Sequence, residues 1–381
     1  MNEDKHMSIF EAPKCLVSTD DNGQFKVEEE ILKQIQEIDK QLVILAITGL
    51  YRTGKSYLMN RLANSSNGFP LGKTIESKTK GIWIWCKDHP RKDNTVLVLL
   101  DTEGLGDVSK GDKDHDNRIF TLVVLLCNVL VYNMMSTFNQ DAVDKLTFIT
   151  EMSKNIRFQN RTESVDDEQL RMILPTFVLC LRDFSLELEK DGNKITPDVY
   201  LEDCLKLKQG DDSTINKYNR PRECILKYFC KRKCFVFDRP GGRKVLQQLE
   251  CIPLEALSDE FIEETKLFLD YMYACESKVL LNSKPVNGRM FSTLIETYVN
   301  AIRNGAVPVV DDAFMAVANL ENERMAAVAV KEFAEKLKMI ELPVLKTNDF
   351  ENLYQEIQKG ALSKLRHESV FNSEKYEKNA V

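Results

Sequence analysis

Positive charge is in short supply in this 381-residue chain, in which 52 lysines and arginines face 59 aspartates and glutamates. The formal charge of −7 argues against sequence-independent binding to nucleic acid, which requires an excess of basic residues. Long apolar runs are missing too. Thr121 and Asn128 interrupt the longest one, residues 119–133, which is shorter than a membrane-spanning helix. That run instead predicts a buried helix followed by a buried strand.

Metal ligands of the zinc type are also scarce. The chain has four histidines, and most of its ten cysteines stand singly in apolar segments, which is typical of reduced core cysteines in a cytosolic protein. Cys230 and Cys234 resemble half of a metal site, but no second pair accompanies them. The charged first ten residues lack the apolar stretch of a secretion signal. We therefore expect a cytoplasmic protein.

The first 280 or so residues alternate short β-branched runs with helical stretches. Strands are predicted at 42–48, 95–101, 129–133, 176–183 and 234–238. Such apolar strands separated by helices predict an α/β fold, with a mostly parallel sheet covered by helices on both faces. Helical periodicity alone follows, at 290–302, 309–342 and 348–365. We therefore predict an α/β domain over residues 1–284 and a partial, all-α domain over residues 285–381.

The stretch "GLYRTGKS", residues 49–56, fits the pattern G-x-x-x-x-G-K-[ST] between a predicted strand and a predicted helix. Its glycines allow successive backbone N–H groups to point at phosphate oxygens. Lys55 would place a positive charge between the β- and γ-phosphates, and the Ser56 hydroxyl would bind Mg²⁺. The pattern predicts the P-loop of a nucleoside triphosphatase, with Mg²⁺ as its cofactor.

Two further segments fit a nucleoside triphosphate site. Asp101 ends a predicted buried strand as part of Asp-x-x-Gly, the position from which an aspartate holds Mg²⁺. Thr79 is a candidate switch threonine that would bind Mg²⁺, although a polar surface loop would look the same. The acidic run 107–120 would be a second switch. A second metal site in that run, built from Asp112, Asp114, His115 and Asp116, is the less favoured alternative to a mobile solvated loop.

Base choice and catalysis rest on single residues. Asp183 follows a predicted strand, where a carboxylate can accept from guanine N1–H and the 2-amino group, whereas adenine would leave it unpaired. A surface salt bridge with Arg182 and an adenine-specific ATPase remain the alternatives. Leu105 stands where Ras-type GTPases carry a water-orienting glutamine, so Glu103 and Ser77 become the polar candidates. Arg52 within the loop is either an arginine finger supplied in cis or an exposed arginine paired with an acidic residue.

The segments "GLYRTGKSYLMN", "TKGIWIWC", "LLDTEGLGD" and "LRDFSLELE" together resemble the guanylate-binding proteins, dynamin-related large GTPases of interferon-linked innate immunity. The resemblance implies a large G domain that hydrolyses GTP to GDP with Mg²⁺, and it leaves open whether GDP is hydrolysed to GMP. It also implies homodimers, or assemblies with related guanylate-binding proteins, formed when nucleotide is bound. A binding module with little hydrolysis that assembles with full-length relatives is the alternative.

The resemblance also implies site residues by matching position. Nucleotide contacts are expected at Gly49, Leu50, Tyr51, Arg52, Thr53, Gly54, Lys55, Ser56, Leu71, Gly72, Lys73, Asp101, Thr102, Glu103, Gly104, Leu105, Arg182 and Asp183. Arg52 would be the finger, Ser77 and Glu103 would belong to the water network, and Thr79 would join Ser56 at Mg²⁺. Arg239 and Arg243 would lie in the loop that caps the base and meets the partner subunit.

The chain departs from the family pattern in three ways. Cys180 replaces the usual threonine before the base motif, and Gly241–Gly242 gives the cap loop additional freedom. The family's helical domain is longer, so the chain resembles a short form with a truncated helical domain, and the sequence leaves open whether this short C-terminus is natural. No cysteine follows Cys275, so we expect no lipid or other intrinsic membrane anchor.

Overall fold

The computed structural model describes residues 9–20, 22–50, 53–65, 68–69, 81–102, 113–140, 143, 156, 173–249, 252–280, 284–340 and 347–369. Its strands are β1 (Lys14–Thr19), β2 (Phe25–Val27), β3 (Gln41–Thr48), β4 (Ile82–Asp88), β5 (Thr95–Thr102), β6 (Val129–Met135), β7 (Thr176–Arg182), β8 (Glu189–Lys190), β9 (Asn193–Lys194) and β10 (Arg232–Phe237). Its helices are α1 (Glu29–Gln36), α2 (Lys55–Leu62), α3 (Lys113–Leu126), α4 (Pro197–Cys204), α5 (Ser213–Tyr228), α6 (Arg243–Gln247), α7 (Asp259–Ala274), α8 (Gly288–Arg303), α9 (Val310–Lys338) and α10 (Thr347–Glu368).

One mixed sheet of eight strands organises the first part of the described chain, in the order β10-β7-β6-β3-β5-β4-β1-β2. The five strands from β10 to β5 run parallel, and β4, β1 and β2 continue the sheet with antiparallel pairing. The five strands predicted from apolar runs are the five parallel strands, which confirms the α/β fold class. The apolar run 119–133 is also confirmed as a buried helix and strand, α3 and β6.

The central strands are buried on both faces. Every residue of β5 is buried, as is every residue of β3 after Gln41. The chain leaves β3 through α2 and β4 to reach β5 on one side of β3, and leaves β5 through α3 to reach β6 on the other side. Because such parallel crossovers are right-handed, α2 and α3 cover opposite faces. The carboxyl ends of β3, β5, β6 and β7 therefore meet at one edge, where the strand order reverses.

Two compact units divide the chain. The first comprises residues 1–278 and 285–309, and the second comprises residues 279–284 and 310–381. The helix α8 thus belongs to the sheet unit, where it contacts α1 and α3. These units are defined by contacts within the chain and do not test the predicted domains, residues 1–284 and 285–381, which stay a prediction. None of the described helices has both the length and the apolar character needed to cross a membrane.

The second unit is built on a pair of helices, α9 and α10, that pack against each other. Its small core consists of Met325, Ala329 and Leu365. The predicted helix over residues 309–342 is shorter in the structure, because α9 ends at Lys338 and passes into a turn before Pro343. The three-residue spacing of Phe314, Val317 and Leu320 predicts an apolar stripe along this helix, but Leu320 is 46% exposed, so its predicted place in the stripe is wrong.

Candidate functional site

The P-loop lies between β3 and α2 and depends on two glycines in the left-handed region. Gly49 has a φ of +137°, and a Cβ added there would lie 2.0 Å from the backbone oxygen of Asn133. Gly54 has a φ of +83° directly before the first residue of α2. Larger residues would be strained at both positions. The structure therefore explains the glycine spacing that the sequence shows.

Lys55 is buried inside this loop rather than extended into solvent. Its side chain is 7% exposed, and Nζ donates to the backbone oxygen of Leu50 at 3.1 Å. Burial lowers the pKa of Lys55, whereas the neighbouring carboxylate of Asp101 acts to raise it. The loop thus holds a buried cation against its own backbone at the start of α2, an arrangement suited to a polyanion.

Ser56 and Asp101 form the second element of the site. Ser56 Oγ donates to Asp101 Oδ2 at 2.8 Å, and Asp101 is fully buried at the end of β5. Its other oxygen, Oδ1, has no hydrogen-bond partner in the described part of the chain. Burial raises the pKa of Asp101 to about 6, although Lys55, the Ser56 hydroxyl and the backbone N–H of Thr102 all act to lower it. A buried carboxylate oxygen without a partner, beside a hydroxyl, is a ligand set that fits Mg²⁺.

Asn133 near the end of β6 contacts the loop directly, and sequence reasoning missed it. Asn133 Nδ2 donates to the backbone oxygen of Thr53 at 2.7 Å, and Thr53 Oγ1 lies 3.4 Å from the backbone oxygen of Asn133. Thr53 Oγ1 also donates to the backbone oxygen of Leu50 at 2.9 Å. The signal available in the sequence was one amide side chain at the end of the predicted buried strand "VLVYN". In the structure this amide is fully buried.

A further contact holds the segment that precedes residues 70–80. Asn60 Nδ2 donates to the backbone oxygen of Phe69 at 2.9 Å, and Phe69 N donates to Asn60 Oδ1 at 2.7 Å. Phe69 is buried edge-on against Trp85. A Cβ on Gly68 would lie 2.2 Å from the Trp85 ring. Gly68 and Phe69, which precede the predicted contacts at Leu71–Lys73, are therefore fixed to α2 and β4.

Arg182 and Asp183, predicted to read the base, follow each other but have different surroundings. Arg182 is 6% exposed, and its guanidinium lies 4.6 Å from the Phe237 ring centroid and 5.3 Å from that of Phe261. Burial lowers the pKa of Arg182. A Cβ on Gly54 would lie 3.8 Å from Arg182 Nη2, so this guanidinium is next to the P-loop. The alternative of a surface salt bridge between Arg182 and Asp183 is therefore wrong.

Asp183 is the partly exposed member of the pair. Its φ of +52° turns the chain as β7 ends, and Arg239 Nε lies 3.9 Å from its Oδ2. Arg239 belongs to the predicted cap loop, which Ser258 fixes to the start of α7 by donating from Oγ to the Arg239 backbone oxygen at 2.9 Å. Arg243 is exposed at the start of α6. The structure thus brings the predicted base reader and one predicted cap arginine together.

Many predicted site residues lie outside the described part of the chain, and their roles stay predictions. They are Tyr51, Arg52, Leu71, Gly72, Lys73, Ser77, Thr79, Glu103, Gly104 and Leu105. The described positions, Gly49, Leu50, Thr53–Ser56, Asp101 and Thr102, converge at the carboxyl ends of β3 and β5. Thr102 Oγ1 donates to the Ile47 backbone oxygen at 3.1 Å, which joins those two ends.

The described residues do not support the two alternative metal sites considered from the sequence, one in residues 107–120 and one at Cys230 and Cys234. Searched over the described residues, the chain has no group of three or more histidine, cysteine, aspartate or glutamate residues that could hold a metal ion. Asp112 lies outside the described residues. From residue 113 onward the predicted mobile loop is instead helix α3, in which His115 is buried edge-on against Phe25. Cys230 is exposed, whereas Cys234 is buried in β10.

Comparison with known proteins agrees with this geometry. The family model for the guanylate-binding protein N-terminal domain matches residues 22–281, and that for the C-terminal domain matches residues 282–380. Guanylate-binding protein 1 of Chlorocebus aethiops is 44% identical over 367 residues, which cover 95% of this chain and 62% of the relative. Guanylate-binding protein 3 of Homo sapiens is 46% identical over 336 residues, which cover 87% of this chain and 56% of the relative.

The chain thus spans about three fifths of the length of these relatives. A solved structure of a putative nucleolar GTP-binding protein 1 from Plasmodium falciparum covers 62% of this chain with a TM-score of 0.27 and 11% identity, values too low to add to the argument. The two family models together extend over nearly the whole sequence, and the P-loop residues occupy the positions that the motif requires. The chain therefore belongs to the guanylate-binding protein family.

Proposed function

We propose that this chain binds GTP together with Mg²⁺ and hydrolyses it to GDP. The observation that carries the proposal is the pair Ser56–Asp101, in which a buried carboxylate keeps one oxygen without a partner among the described residues. This ligand set lies next to Lys55 and the start of α2, both of which favour a bound polyphosphate. Membership in the guanylate-binding protein family supports the same assignment.

Phosphate binding would be the work of the loop itself. The backbone N–H groups around Gly54 would donate to phosphate oxygens, and Lys55 would exchange its bond to the Leu50 oxygen for bonds to phosphate. Ser56 and Asp101 would hold Mg²⁺, and Thr79 would complete its protein ligands. When bound, the ion supplies positive charge that neutralises the phosphate oxygens. A Ser56→Ala variant should therefore lose GTP affinity chiefly in the presence of Mg²⁺, and equal affinities with and without Mg²⁺ would contradict this role.

Guanine selection would rest on Asp183, whose carboxylate can accept from N1–H and the 2-amino group. The decisive variant is Asp183→Asn, because its amide N–H₂ group pairs with the 2-oxo group of xanthine. We expect the variant to bind GTP more weakly and XTP more strongly than the unmodified chain, as measured by competition against a fluorescent nucleotide analogue of each base. An Asp183→Asn chain that still prefers GTP over XTP and ATP would refute this assignment. The alternative of an adenine-specific ATPase predicts that the variant leaves the preference unchanged.

Hydrolysis would depend on Arg52 as a finger supplied in cis, with Ser77 and Glu103 in the network that positions water. Arg52→Ala should lower the single-turnover rate by orders of magnitude while changing GTP affinity much less. Arg61 provides the matched control, because it lies on the same helix as Ser56 but donates to the Tyr57 hydroxyl at 3.0 Å. Arg61→Ala should leave the hydrolysis rate close to that of the unmodified chain. Equal losses of rate and affinity in Arg52→Ala would refute the finger role.

Assembly is the remaining part of the proposal. Arg239 and Arg243 would contribute to a nucleotide-driven homodimer, or to assembly with related guanylate-binding proteins, in a cytoplasmic innate immune response. Specific activity that rises with protein concentration, and rises less in the Arg239→Ala and Arg243→Ala variants, would support a dimeric enzyme. Leu105, which cannot orient water, favours the second candidate: a GTP-binding module with little hydrolysis. A flat, near-zero rate at every concentration would support that module.

A further inference from the structure

Asn133 and Thr53 join β6 to the P-loop at two points. The strands β3 and β6 run parallel, and their pairing ends at Thr48 and Tyr132, one residue before Asn133. Beyond that position β3 continues as the loop, and hydrogen bonds between Asn133 and Thr53 replace the ladder. Gly49 allows this contact, because its missing Cβ is what lets the loop approach the backbone oxygen of Asn133. The loop is therefore seated directly on the end of β6.

The stronger of the two bonds fixes the orientation of one peptide group. Asn133 Nδ2 donates to the Thr53 backbone oxygen at 2.7 Å. In a planar trans peptide the C=O and the following N–H point in opposite directions. A Thr53 carbonyl held toward Asn133 therefore turns the N–H of Gly54 away from β6. In a P-loop this N–H belongs to the set that points at phosphate oxygens.

We propose that Asn133 is a positioning residue for phosphate binding, which acts by fixing the Thr53–Gly54 peptide so that the Gly54 N–H points into the phosphate cradle. This inference rests on the proposed nucleotide-binding function and adds a residue on a neighbouring strand to it. Asn133 does not touch the nucleotide in this role; it acts through the loop backbone.

A purely structural role explains Asn133 less well. Its Oδ1 is buried without a hydrogen-bond partner among the described residues, although an unpaired buried acceptor is destabilising. Asn128, directly before the first residue of β6, satisfies both ends of its amide. Asn128 Nδ2 donates to the Glu276 backbone oxygen at 2.8 Å, and Ile44 N donates to Asn128 Oδ1 at 2.6 Å. Of the two polar ends of the Asn133 amide, the described structure uses only the Nδ2 donor, which bonds to the P-loop backbone.

Asn128 thus provides the matched control for an experiment on the whole chain. Both Asn133→Ala and Asn128→Ala remove an amide that bonds to backbone, so both should lower the melting temperature. We expect Asn133→Ala to weaken the binding of fluorescent GTP and GDP at least tenfold, and Asn128→Ala to leave both affinities within about twofold. In steady-state hydrolysis, Asn133→Ala should raise KM more than it lowers kcat. Hydrogen exchange should increase in residues 49–56 of the Asn133 variant alone.

Asn133→Asp extends the test with an isosteric change, since it places a carboxylate oxygen against the Thr53 oxygen where the donor stood. It should weaken nucleotide binding at least as much as Asn133→Ala, and it serves in place of the alanine variant if that chain does not fold. Unchanged affinity in a folded variant at residue 133, or equal losses in the variants of Asn133 and Asn128, would overturn the positioning role. If the unmodified chain binds GTP and ATP equally, the proposed guanine selectivity fails. The positioning role is then still tested by whether the Asn133 variants lose affinity for either nucleotide. If it binds neither, both proposals fall.

Discussion

Lys278 is a buried lysine far in sequence from the P-loop, and its replacement gives a sharp test of the energetics of this fold. Its side chain is 5% exposed, and Nζ donates to the Cys127 backbone oxygen at 2.9 Å. Its backbone N–H donates to the Leu42 oxygen at 2.8 Å, so the position is fixed to the start of β3. Burial lowers the pKa of Lys278 to about 8 from its ordinary 10.5. The perturbation is Lys278→Met, which keeps an unbranched side chain and removes the charge.

The magnitude follows from proton linkage. Because the pKa of Lys278 is lower in the folded state, the unfolded chain binds more protons between pH 8 and pH 10.5, and stability rises with pH across that window. Below pH 8 both states are protonated, and the full difference, about 3 kcal/mol, disfavours the folded chain. With these two pKa values, the free energy of unfolding should increase by about 2 kcal/mol between pH 7.5 and pH 9.5 through this lysine alone.

Urea unfolding of both chains at these two pH values measures the effect. Other titrating groups contribute equally to both chains, so we expect the unfolding free energy of the unmodified chain to gain about 2 kcal/mol on that of the Lys278→Met variant as the pH rises. The lost hydrogen bond to the Cys127 oxygen shifts the variant by a similar amount at both pH values and does not affect this comparison. A difference between the two chains that stays constant from pH 7.5 to pH 9.5 would refute the reasoning.

Three further predictions concern other parts of the chain. Burial and two nearby cations lower the pKa of His89 to about 4, so the free energy of unfolding should fall by about 2 kcal/mol between pH 7 and pH 4.5. In urea unfolding, the His89→Asn variant should lose clearly less stability over the same pH range. An equal loss in both chains would contradict this account. Gly49→Ala should weaken GTP binding at least tenfold in a fluorescence titration. Gly192 also has a positive φ, +76°, but open space surrounds it, so Gly192→Ala should leave the affinity unchanged. Equal affinities of the two variants would count against the steric argument. Asn60→Ala should increase hydrogen exchange at Phe69, since it removes both bonds between the Asn60 amide and the Phe69 backbone. Unchanged exchange there would show that those bonds do not hold Phe69 in place.

The parallel half of the sheet could be predicted because its strands are buried on both faces. Such strands need continuous apolar side chains, and runs such as "LVILAIT" therefore mark β3 and its neighbours without any knowledge of the partners. The antiparallel half could not be predicted in the same way. In β1 and β4 polar residues such as Lys14 and Lys87 stand among the apolar ones. The pairing of these two strands also joins residues about 65 to 70 positions apart in sequence.

The candidate site shows the same division. Gly49, Lys55 and Ser56 could be assigned from spacing, because the conformation of a P-loop limits which residues stand at each position. Asn133 and Asn60 could not, since a lone asparagine gains its role from the backbone that folding brings to it. Thr53 is 80 residues from Asn133, and no local pattern connects them.

The assignment of α8 needed tertiary contacts as well. Its amphipathic pattern predicted a helix with one apolar face, but not what would cover that face. In the structure a Cβ on Gly288 would lie 1.9 Å from the Ile35 oxygen, and Ser292 Oγ donates to the Leu32 oxygen at 3.3 Å. Close approach between α8 and α1 therefore places the helix with the sheet.

Three buried charged residues lie at the carboxyl edge of the sheet, and their combined charge suggests why the fold retains them. Lys55, Asp101 and Arg182 are all buried, and for each of them burial is the largest cause of a pKa shift toward the neutral form. Charged groups held this way lower the stability of a protein unless another function retains them. Two cations and one carboxylate, brought together from the start of α2 and the ends of β5 and β7, complement a polyphosphate that carries a divalent cation. The same burial that weakens these groups as structural elements strengthens their attraction for such a ligand, because less water screens them. The destabilising features of this edge are thus the ones that a nucleotide site requires.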